Sequence, residues 1–338
     1  MDQKPIIAIL QGDATGVGPE IVARLAVNGF FSRYCRPILI GDARVFEMGL
    51  KIIGATTPYS SITAIDEADW GKGMPILDLK NIDPQKITIG EVNPECGAAC
   101  VEMIKIGVEL FKQGKIDGIC FAPFNKSAMK LGGSPAPSEL ELMAMLFNIT
   151  ARFGEINMVD DVWTTRVTSH IPLSCVAEEL SVAKIVDSII LANDTLISAG
   201  IEHPRIGVSA LNPHAGEHGL CGAEEIELIV PAVKQAIATG IQASGPYSSD
   251  ILFIKAFNRE FDAAVTMFHD QGQIALKLRG FEQGITIGGG FPLPVTTCAH
   301  GTAHDIAGKC IAKTTSFENA VVMVSRMASN TVNEGRRE

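Results

Sequence analysis

Short apolar runs of strand length alternate with helical patterns along most of this chain. Strands are predicted at Pro5–Leu10 and Gly118–Ala122, because each run is apolar and lies next to turn-forming residues. The helices that separate the later strands are predicted near residues 177–198, 223–238 and 316–330. Alternation of this kind is typical of a mostly parallel sheet with helices on its faces. We therefore expect an α/β protein.

Length and composition indicate two domains. The 338 residues exceed what one ordinary hydrophobic core accommodates. Hydrophobic residues make up 46% of the chain and charged residues only 20%, so large apolar sheets can be buried. The stretch Gly132–Pro137 is rich in glycine and proline, and a new helical pattern begins at Ser138. A domain boundary is therefore predicted near this stretch.

Charge and cysteine content narrow the functional class. A net charge of -10 without a Lys/Arg-rich stripe argues against nucleic acid or an anionic membrane as partner, which favours a small-molecule substrate. The N-terminus shows neither a signal-peptide apolar region nor a membrane-spanning run, which predicts a cytoplasmic protein. The eight cysteines lack CxxC spacing and are predicted to be reduced, mostly buried thiols.

Three histidines lie in turn contexts that favour a ligand site. His214 and His269 follow the strand-like runs Ile206–Leu211 and Ala263–Phe268, and His170 precedes Ile-Pro. Open α/β sheets bind ligands just beyond the carboxyl ends of their strands. Three neutral imidazoles with open positions suit zinc, manganese, cobalt or nickel. The alternative is that each histidine is an ordinary surface or core residue.

A second candidate site is the stretch His300–Lys309, which resembles the adenosine-binding loop of the isocitrate and isopropylmalate dehydrogenases. In that superfamily an Asp-Ile pair at the position of Asp305 and Ile306 accompanies NAD, since a carboxylate accepts hydrogen bonds from a ribose diol and repels a phosphate. The predicted cofactor-binding residues are His300, Gly301, Thr302, Ala303, Asp305 and Ile306. The alternative is a helix-start turn with a solvated Asp305. By contrast, Gly12–Gly18 matches no phosphate-loop fingerprint and indicates a tight glycine turn.

The chain as a whole resembles the 4-hydroxythreonine-4-phosphate dehydrogenase (PdxA) family. The matching motifs run almost from end to end: Gly12-Asp-x-x-Gly-x-Gly-Pro-Glu20, Ala122-Pro-x-Asn-Lys126, His170, Leu211-Asn-Pro-His-Ala-Gly-Glu217, Gly222-x-Glu-Glu225, Gly245-Pro-x-x-x-Asp250, Met267-x-His-Asp-Gln-Gly272, Lys277 and His300-Gly-Thr-Ala303.

This resemblance implies an isopropylmalate-dehydrogenase-like fold of two α/β/α domains, with an interdomain cleft. It also implies a homodimer whose active site is completed across the interface, and one divalent metal, zinc, manganese, cobalt, nickel or magnesium, held by His170, His214 and His269. The predicted domains are residues 1–130 with 282–338, which carry the cofactor loop, and residues 131–281, which carry the metal site and the dimer interface.

The substrate pocket departs from the family pattern. Members that use a phosphorylated hydroxy acid hold its phosphate with a His-Thr pair, a Lys, an Asn and an Arg. The pair falls here on Glu139–Leu140, the Asn on Thr286 and the Arg on Val295, so that only Lys277 is retained. Loss of these donors and positive charges predicts an unphosphorylated substrate. The run Ile285–Gly290 resembles the Ile-Gly-Gly segment of family members that oxidise aromatic dihydrodiol carboxylates.

These observations predict an NAD- and metal-dependent dehydrogenase of a hydroxy acid or dihydrodiol carboxylate. Loss of carbon dioxide would follow oxidation where a carboxylate lies beta to the new ketone. One alternative substrate is 4-hydroxythreonine 4-phosphate or a 4-phosphorylated threonate or erythronate. The other alternative is a metal-dependent hydrolase or lyase that needs no NAD.

Individual roles follow from the same motifs. Lys277 is predicted to transfer a proton or to bind a substrate anion, and Asp250 to orient a metal ligand or a donor. Glu139, Thr286 and Asn212 are predicted to bind substrate. The corresponding structural alternatives are a solvated Lys277, an N-terminal helix cap at Asp250 and an Asn212 that holds its own loop.

Overall fold

Strands and helices alternate through residues 4–334, the part of the chain that this computed structural model describes. The strands are β1 (Ile6–Leu10), β2 (Arg36–Gly41), β3 (Tyr59–Ile62), β4 (Met74–Asp78), β5 (Gly118–Phe121), β6 (Gly154–Val159), β7 (Val162–Arg166), β8 (Arg205–Ser209), β9 (Gln242–Tyr247), β10 (Ala263–Thr266), β11 (Ile285–Gly289) and β12 (Val295–Cys298). The helices are α1 (Gly18–Val27), α2 (Phe30–Tyr34), α3 (Ala43–Ile52), α4 (Pro94–Lys112), α5 (Lys126–Leu131), α6 (Glu139–Phe147), α7 (Val176–Glu179), α8 (Val182–Ser198), α9 (Val230–Ala238), α10 (Ser249–Phe257), α11 (His269–Gly280) and α12 (Thr315–Glu334).

The chain divides into two units. Unit 1 comprises Met1–Thr150 and Phe291–Glu338, and unit 2 comprises Ala151–Gly290. The predicted boundaries at 130/131 and 281/282 differ from these limits. Helices α5 and α6 pack on α4 and so belong to unit 1, whereas β11 pairs with β6 and so belongs to unit 2. The stretch rich in glycine and proline joins α5 and α6, two helices of unit 1.

Unit 1 contains a parallel sheet in the strand order β3-β4-β2-β1-β5-β12. Alternate residues of each strand face opposite sides of this sheet. On one side, Ala8 and Leu10 share a hydrophobic cluster with Ile104 of α4. On the other side, Ile7 and Val324 of α12 both lie close to Gly118. Helices therefore cover both faces of the sheet, which explains why its strands are apolar throughout.

Unit 2 has the strand order β11-β6-β7-β10-β8-β9. Strand β6 is antiparallel to both of its neighbours, while β7, β10, β8 and β9 are parallel. Because β10 pairs with β7 on one side and β8 on the other, the carboxyl ends of these three strands lie side by side. The segments that follow them carry His170, His269 and His214.

The predicted fold class, an α/β protein with a mostly parallel sheet, is confirmed. All eight cysteines are free, and five of them are buried. Within residues 4–334, the helices are too short or too polar for any of them to span a membrane.

Candidate active site

Two of the predicted metal ligands, His170 and His269, lie next to each other. Their ring centroids are 5.7 Å apart. Each histidine follows one of the paired strands β7 and β10, and the segments beyond these strands continue the pairing. Thr168 donates through its backbone nitrogen and its Oγ1 to the carbonyl oxygen of Met267, at 3.0 and 2.8 Å. The strand pairing therefore extends to within two residues of both histidines.

The third predicted ligand, His214, lies on a run of left-handed backbone. Residues 214–218 all have positive φ angles, between 44° and 77°, and the side chain of His214 is 78% exposed. Its Nδ1 lies 3.7 Å from Oε2 of Glu217. In the described part of the chain no cluster of three or more His, Cys, Asp or Glu side chains has the spacing of a metal site. The structure therefore brings together two of the three predicted ligands.

Glu225 anchors the loop that leads to His214. It is buried, and its Oε1 accepts hydrogen bonds from the backbone nitrogens of Leu211 (2.9 Å) and Asn212 (2.7 Å). The Nδ2 of Asn212 donates to Oε2 of Glu225 (3.0 Å) and to Oε2 of Glu224 (2.7 Å). Asn212 thus holds its own loop, which was the structural alternative to substrate binding. Glu225 belongs to the motif Gly222-x-Glu-Glu225, but no role was predicted for this residue.

Gln271 connects the ends of the neighbouring strands. Its Oε1 accepts from the backbone nitrogen of Met267 at 2.8 Å, just after β10. Its Nε2 donates to the carbonyl oxygen of Ala210, just after β8, and to Oγ of Ser249, each at 2.8 Å. Sequence reasoning missed this residue, although it lies two positions after His269. It fixes the first turn of α11, where His269 begins the helix.

Asp270 contacts the imidazole of His269. Its Oδ1 lies 2.7 Å from Nδ1 of His269. A carboxylate at this nitrogen stabilises a proton on Nδ1, which leaves Nε2 as the nitrogen with a free lone pair. This is the arrangement that a metal-binding histidine requires. The contact therefore supports a role for Asp270 in orienting His269.

Thr286 belongs to a polar cluster around Arg166. Its Oγ1 accepts a hydrogen bond from Nδ2 of Asn157 at 2.9 Å. The Oδ1 of Asn157 accepts in turn from Arg166 at 2.8 Å, and Arg166 also donates to Glu155 and to Oγ of Ser169. The positive charge of Arg166 is therefore compensated by Glu155. Since Ser169 precedes His170, this cluster also orders the approach to that histidine.

The predicted catalytic residues Lys277 and Asp250 are both exposed. Lys277 lies in the last turn of α11, and its side chain makes no hydrogen bond or ion pair within residues 4–334. Asp250 is the second residue of α10, and its Oδ1 accepts from the backbone nitrogen of Ile251 at 3.0 Å. The helix is preceded by Ser248 at the N-cap position. Asp250 is therefore not the N-terminal cap considered as its structural alternative.

In unit 1, Glu139 is the first residue of α6. Its Oε2 lies 3.8 Å from Nζ of Lys126, and only 13% of its side chain is exposed. Leu140 is buried, and Val295 is fully buried in the same core cluster as Leu140. Neither apolar side chain can donate a hydrogen bond to a phosphate. Val295 is therefore a core residue of the sheet.

The predicted cofactor loop is attached to the N-terminal glycine motif. The backbone nitrogen of Val17 donates to the carbonyl oxygen of Thr302 at 3.0 Å. At the far end of the loop, Arg24 donates to the carbonyl oxygens of Cys310 and Ala312, and Glu20 accepts from their backbone nitrogens. The glycine turn thus holds one end of this loop, and helix α1, which follows the turn, holds the other.

Within the loop, the predicted cofactor residues take different positions. Asp305 and Gly301 are exposed, whereas His300, Thr302, Ala303 and Ile306 are half-buried. Ala303 has a φ of 44°, and its carbonyl oxygen accepts from the backbone nitrogens of Ile306 and Ala307. This turn leaves the Asp305 carboxylate in solvent, where it can accept hydrogen bonds from a ligand.

Comparisons with known proteins support the resemblance seen in the motifs. A family model described as "Pyridoxal phosphate biosynthetic protein PdxA" matches residues 33–324. A relative from Rhizobium meliloti (strain 1021), provisionally named 4-hydroxythreonine-4-phosphate dehydrogenase 2, is 40% identical over 329 residues, which cover 97% of this chain and 94% of the relative. A D-threonate 4-phosphate dehydrogenase from Cupriavidus necator is 37% identical over 97% of this chain and 98% of the relative.

Solved structures agree with these relatives. The crystal structure of a 4-hydroxythreonine-4-phosphate dehydrogenase from Klebsiella pneumoniae matches with a TM-score of 0.87 at 32% identity. The match covers 97% of this chain and all of the Klebsiella chain.

Proposed function

The chain belongs to the PdxA family of dehydrogenases, and from this membership we propose that it oxidises a hydroxy acid phosphate with NAD as the hydride acceptor. The observation that carries the proposal is the similarity to named relatives over nearly the full length of both chains. Two such relatives are named for 4-phosphorylated substrates, 4-hydroxythreonine 4-phosphate and D-threonate 4-phosphate. These names favour the phosphorylated alternative over the unphosphorylated substrate that the pocket residues predicted.

A second candidate substrate is an unphosphorylated hydroxy acid or dihydrodiol carboxylate. It is favoured by Glu139, whose carboxylate would repel a phosphate dianion, and by Leu140 and Val295, which offer no donor. Arg166 does not replace the missing charge, because Glu155 already pairs with it. Substrate assays must therefore include both classes.

The choice of NAD over NADP rests on Asp305. Its exposed carboxylate can accept hydrogen bonds from the two hydroxyl groups of the adenosine ribose. The same charge would repel the 2′-phosphate of NADP. If NAD did not bind at all, the remaining alternative would be a hydrolase or lyase that uses the histidines without a nucleotide.

The imidazoles after β7, β10 and β8 suit a divalent metal by their chemistry, and the pairing of these strands brings the segments that carry them to one edge of the sheet. His170, His269 and His214 would hold it, and the nitrogen ligands favour zinc, manganese, cobalt or nickel over magnesium. When bound, such a metal lowers the pKa of a substrate hydroxyl group. Asp270 keeps the His269 ring in one orientation, and Gln271 holds the first turn of α11 against the end of β8.

In the proposed reaction the substrate carbon gives a hydride to the nicotinamide and its hydroxyl group loses a proton, which leaves a carbonyl group. Lys277 lies eight residues after His269 on α11, or about 12 Å along the helix axis. This separation suits a role at the distal anionic group of the substrate better than proton transfer at the hydroxyl group. Carbon dioxide would be lost only from a product with a carboxylate beta to the new ketone.

We further propose that the protein is a homodimer through α10 and α11. Tyr247, Phe257 and Ala275 lie in one cluster beneath these helices, and Arg279 of α11 stacks on the ring of Phe257. Four large apolar side chains are exposed on the two helices, and a fifth directly follows α11: Ile251, Ile254, Ile274, Leu278 and Phe281. Several exposed apolar side chains on two neighbouring helices favour a protein contact. Asp250 adjoins it, which supports a role for Asp250 in the site of the partner subunit.

The deciding experiment measures NADH formation by metal-loaded protein on two substrate sets. One set contains 4-phosphorylated hydroxy acids, including D-threonate 4-phosphate, and the other contains the unphosphorylated acids and cyclic dihydrodiol carboxylates. Turnover of the first set alone is the expected result. Turnover of the second set alone would overturn the phosphorylated assignment and support the pocket argument. Absence of NAD binding would overturn the dehydrogenase reaction itself.

A further inference from the structure

A fully buried carboxylate lies beside the cofactor loop of unit 1. Asp13 has no solvent-exposed surface, and its Oδ1 accepts hydrogen bonds from the backbone nitrogen of Thr15 (2.9 Å) and from Oγ1 of Thr15 (2.7 Å). Its Oδ2 is buried without a partner. Burial raises the pKa of this carboxyl group, and the hydrogen bonds from Thr15 act in the opposite direction. A carboxylate kept in such a place indicates a role beyond packing.

The hydroxyl group of Thr15 joins this carboxylate to the cofactor loop. Its Oγ1 lies 3.3 Å from Nε2 of His304. A threonine hydroxyl group has one hydrogen to donate and lone pairs to accept with. The shorter contact, at 2.7 Å to a carboxylate, takes that hydrogen. The contact with His304 therefore requires Nε2 to carry a hydrogen and to donate it to Thr15.

This assignment of donors and acceptors determines the tautomer of His304. With the hydrogen on Nε2, the neutral ring leaves Nδ1 as a bare acceptor. Within residues 4–334, Nδ1 of His304 accepts no hydrogen bond. The ring is half-buried and precedes Asp305 in the loop. Two acceptors, an imidazole nitrogen and a carboxylate, therefore follow each other along this loop.

The backbone holds the same parts together. The carbonyl oxygen of Thr15 accepts from the backbone nitrogen of Gly90 at 2.8 Å. Gly90 has a φ of 87°, and a β-carbon there would lie 3.0 Å from the carbonyl oxygen of His304. Val17 donates to Thr302 two residues before His304. The ring of His304 thus contacts the turn that contains Asp13, and the backbone of His304 lies against Gly90.

We propose that His304 is a specificity residue for the nucleotide, with Nδ1 accepting a hydrogen bond from the adenosine part of NAD. Asp13 and Thr15 are positioning residues that impose the required tautomer. The inference rests on the proposed use of NAD. Adenosine offers hydrogens from its ribose hydroxyl groups and its amino group, whereas a 2′-phosphate dianion offers none. Paired acceptors at residues 304 and 305 therefore select the unphosphorylated ribose.

The first test compares Thr15→Val with Thr15→Ser in the full-length protein. Valine keeps the branched shape of threonine and removes the hydroxyl group, whereas serine retains it. Nitrogen NMR of the imidazole reports which ring nitrogen of His304 carries the hydrogen. We expect the Nε2–H tautomer in the parent protein and in Thr15→Ser, and a mixture in Thr15→Val. A parent protein with the hydrogen on Nδ1 would overturn the inference.

The second test measures NAD affinity by calorimetry without substrate. Thr15→Val and His304→Phe should each weaken NAD binding by about threefold to tenfold, the range expected for one lost neutral hydrogen bond, and Thr15→Ser should restore it. NADP binding should change less. Unchanged NAD affinity in His304→Phe would overturn the inference while NAD use stands. A parent protein that binds no NAD would overturn the proposed cofactor instead, so that the two failures are distinguishable.

Discussion

Replacing Glu225 by glutamine should loosen the loop that carries His214. The buried carboxylate accepts three hydrogen bonds from Leu211 and Asn212. Hydrogen bonds to a charged acceptor contribute about 1.5–3 kcal/mol each. The glutamine oxygen can still accept from the two backbone nitrogens as a neutral group. Its amide nitrogen, however, faces the Nδ2 donor of Asn212, so that one bond is lost and two are weakened.

We therefore expect Glu225→Gln to cost about 2–4 kcal/mol locally. The loss should fall on residues 211–221, because the left-handed run lies against the same side chain: a β-carbon on Gly216 would lie 2.6 Å from Oε2 of Glu225. If His214 binds the metal, the free energy needed to order the loosened loop must be supplied by metal binding, which lowers the measured metal affinity. An affinity loss of about tenfold to a hundredfold is expected, which is the range for outer-shell partners of metal ligands.

Two measurements check this prediction. Hydrogen exchange should accelerate in the peptide covering residues 211–221, and zinc affinity measured by calorimetry should fall. Glu227→Gln is the matched control, because Glu227 is exposed on the same helical segment. Faster exchange with unchanged zinc affinity would refute the assignment of His214 as a ligand. Unchanged exchange would refute the anchoring role of Glu225.

Two further predictions concern stability. Gly97→Ala should destabilise the protein by about 1–3 kcal/mol or more, because the new β-carbon would overlap the backbone carbonyl group of Ala128. Gly107→Ala is the control, since the atom nearest to its β-carbon is the movable Cδ1 of Ile119, at 3.1 Å. Urea unfolding measures the loss of stability in both variants, and equal losses would contradict the reasoning. For Asp42, burial raises the pKa, but hydrogen bonds from Arg44 and Ile82 outweigh this effect and leave the pKa below the ordinary value of 3.8. The stabilising contribution of the Asp42 carboxylate is therefore present above pH 3.8 and is lost as the pH falls through the lowered pKa. The difference in unfolding free energy between the parent protein and Asp42→Asn should be largest at neutral pH and should disappear in acid. A difference that stays constant with pH would contradict the assignment.

The sequence predicted those parts of the site that depend on strand ends. Runs of apolar residues located β8 and β10, and the turn residues after them located His214 and His269. The position of His170 beside His269 follows from the pairing of β7 with β10, which no local pattern encodes. The left-handed run at 214–218 was not predictable, because alanine and glutamate rarely adopt positive φ angles and no local pattern indicates such a run.

Contacts between distant segments account for the other differences. Thr15 and His304 are 289 positions apart, so their contact depends on how β1 and β12 flank β5. Val295 aligned with a phosphate-binding arginine, yet as the first residue of β12 it faces the core. Its burial is a property of the sheet and could not be assigned from a pocket comparison alone.

The strand order of unit 1 has a consequence for how the chain is made. Strand β12, which pairs with β5, leaves the ribosome long after β5 does, since all of unit 2 is encoded between them. Domains fold as units, in general from the N-terminus during synthesis, at about 5–20 residues per second. Unit 2, which is continuous in sequence, can therefore complete its sheet first, while β5 waits for its last neighbour. The loop proposed to bind the nucleotide is synthesised later still, so the nascent chain contains the three proposed metal ligands before it can bind a nucleotide.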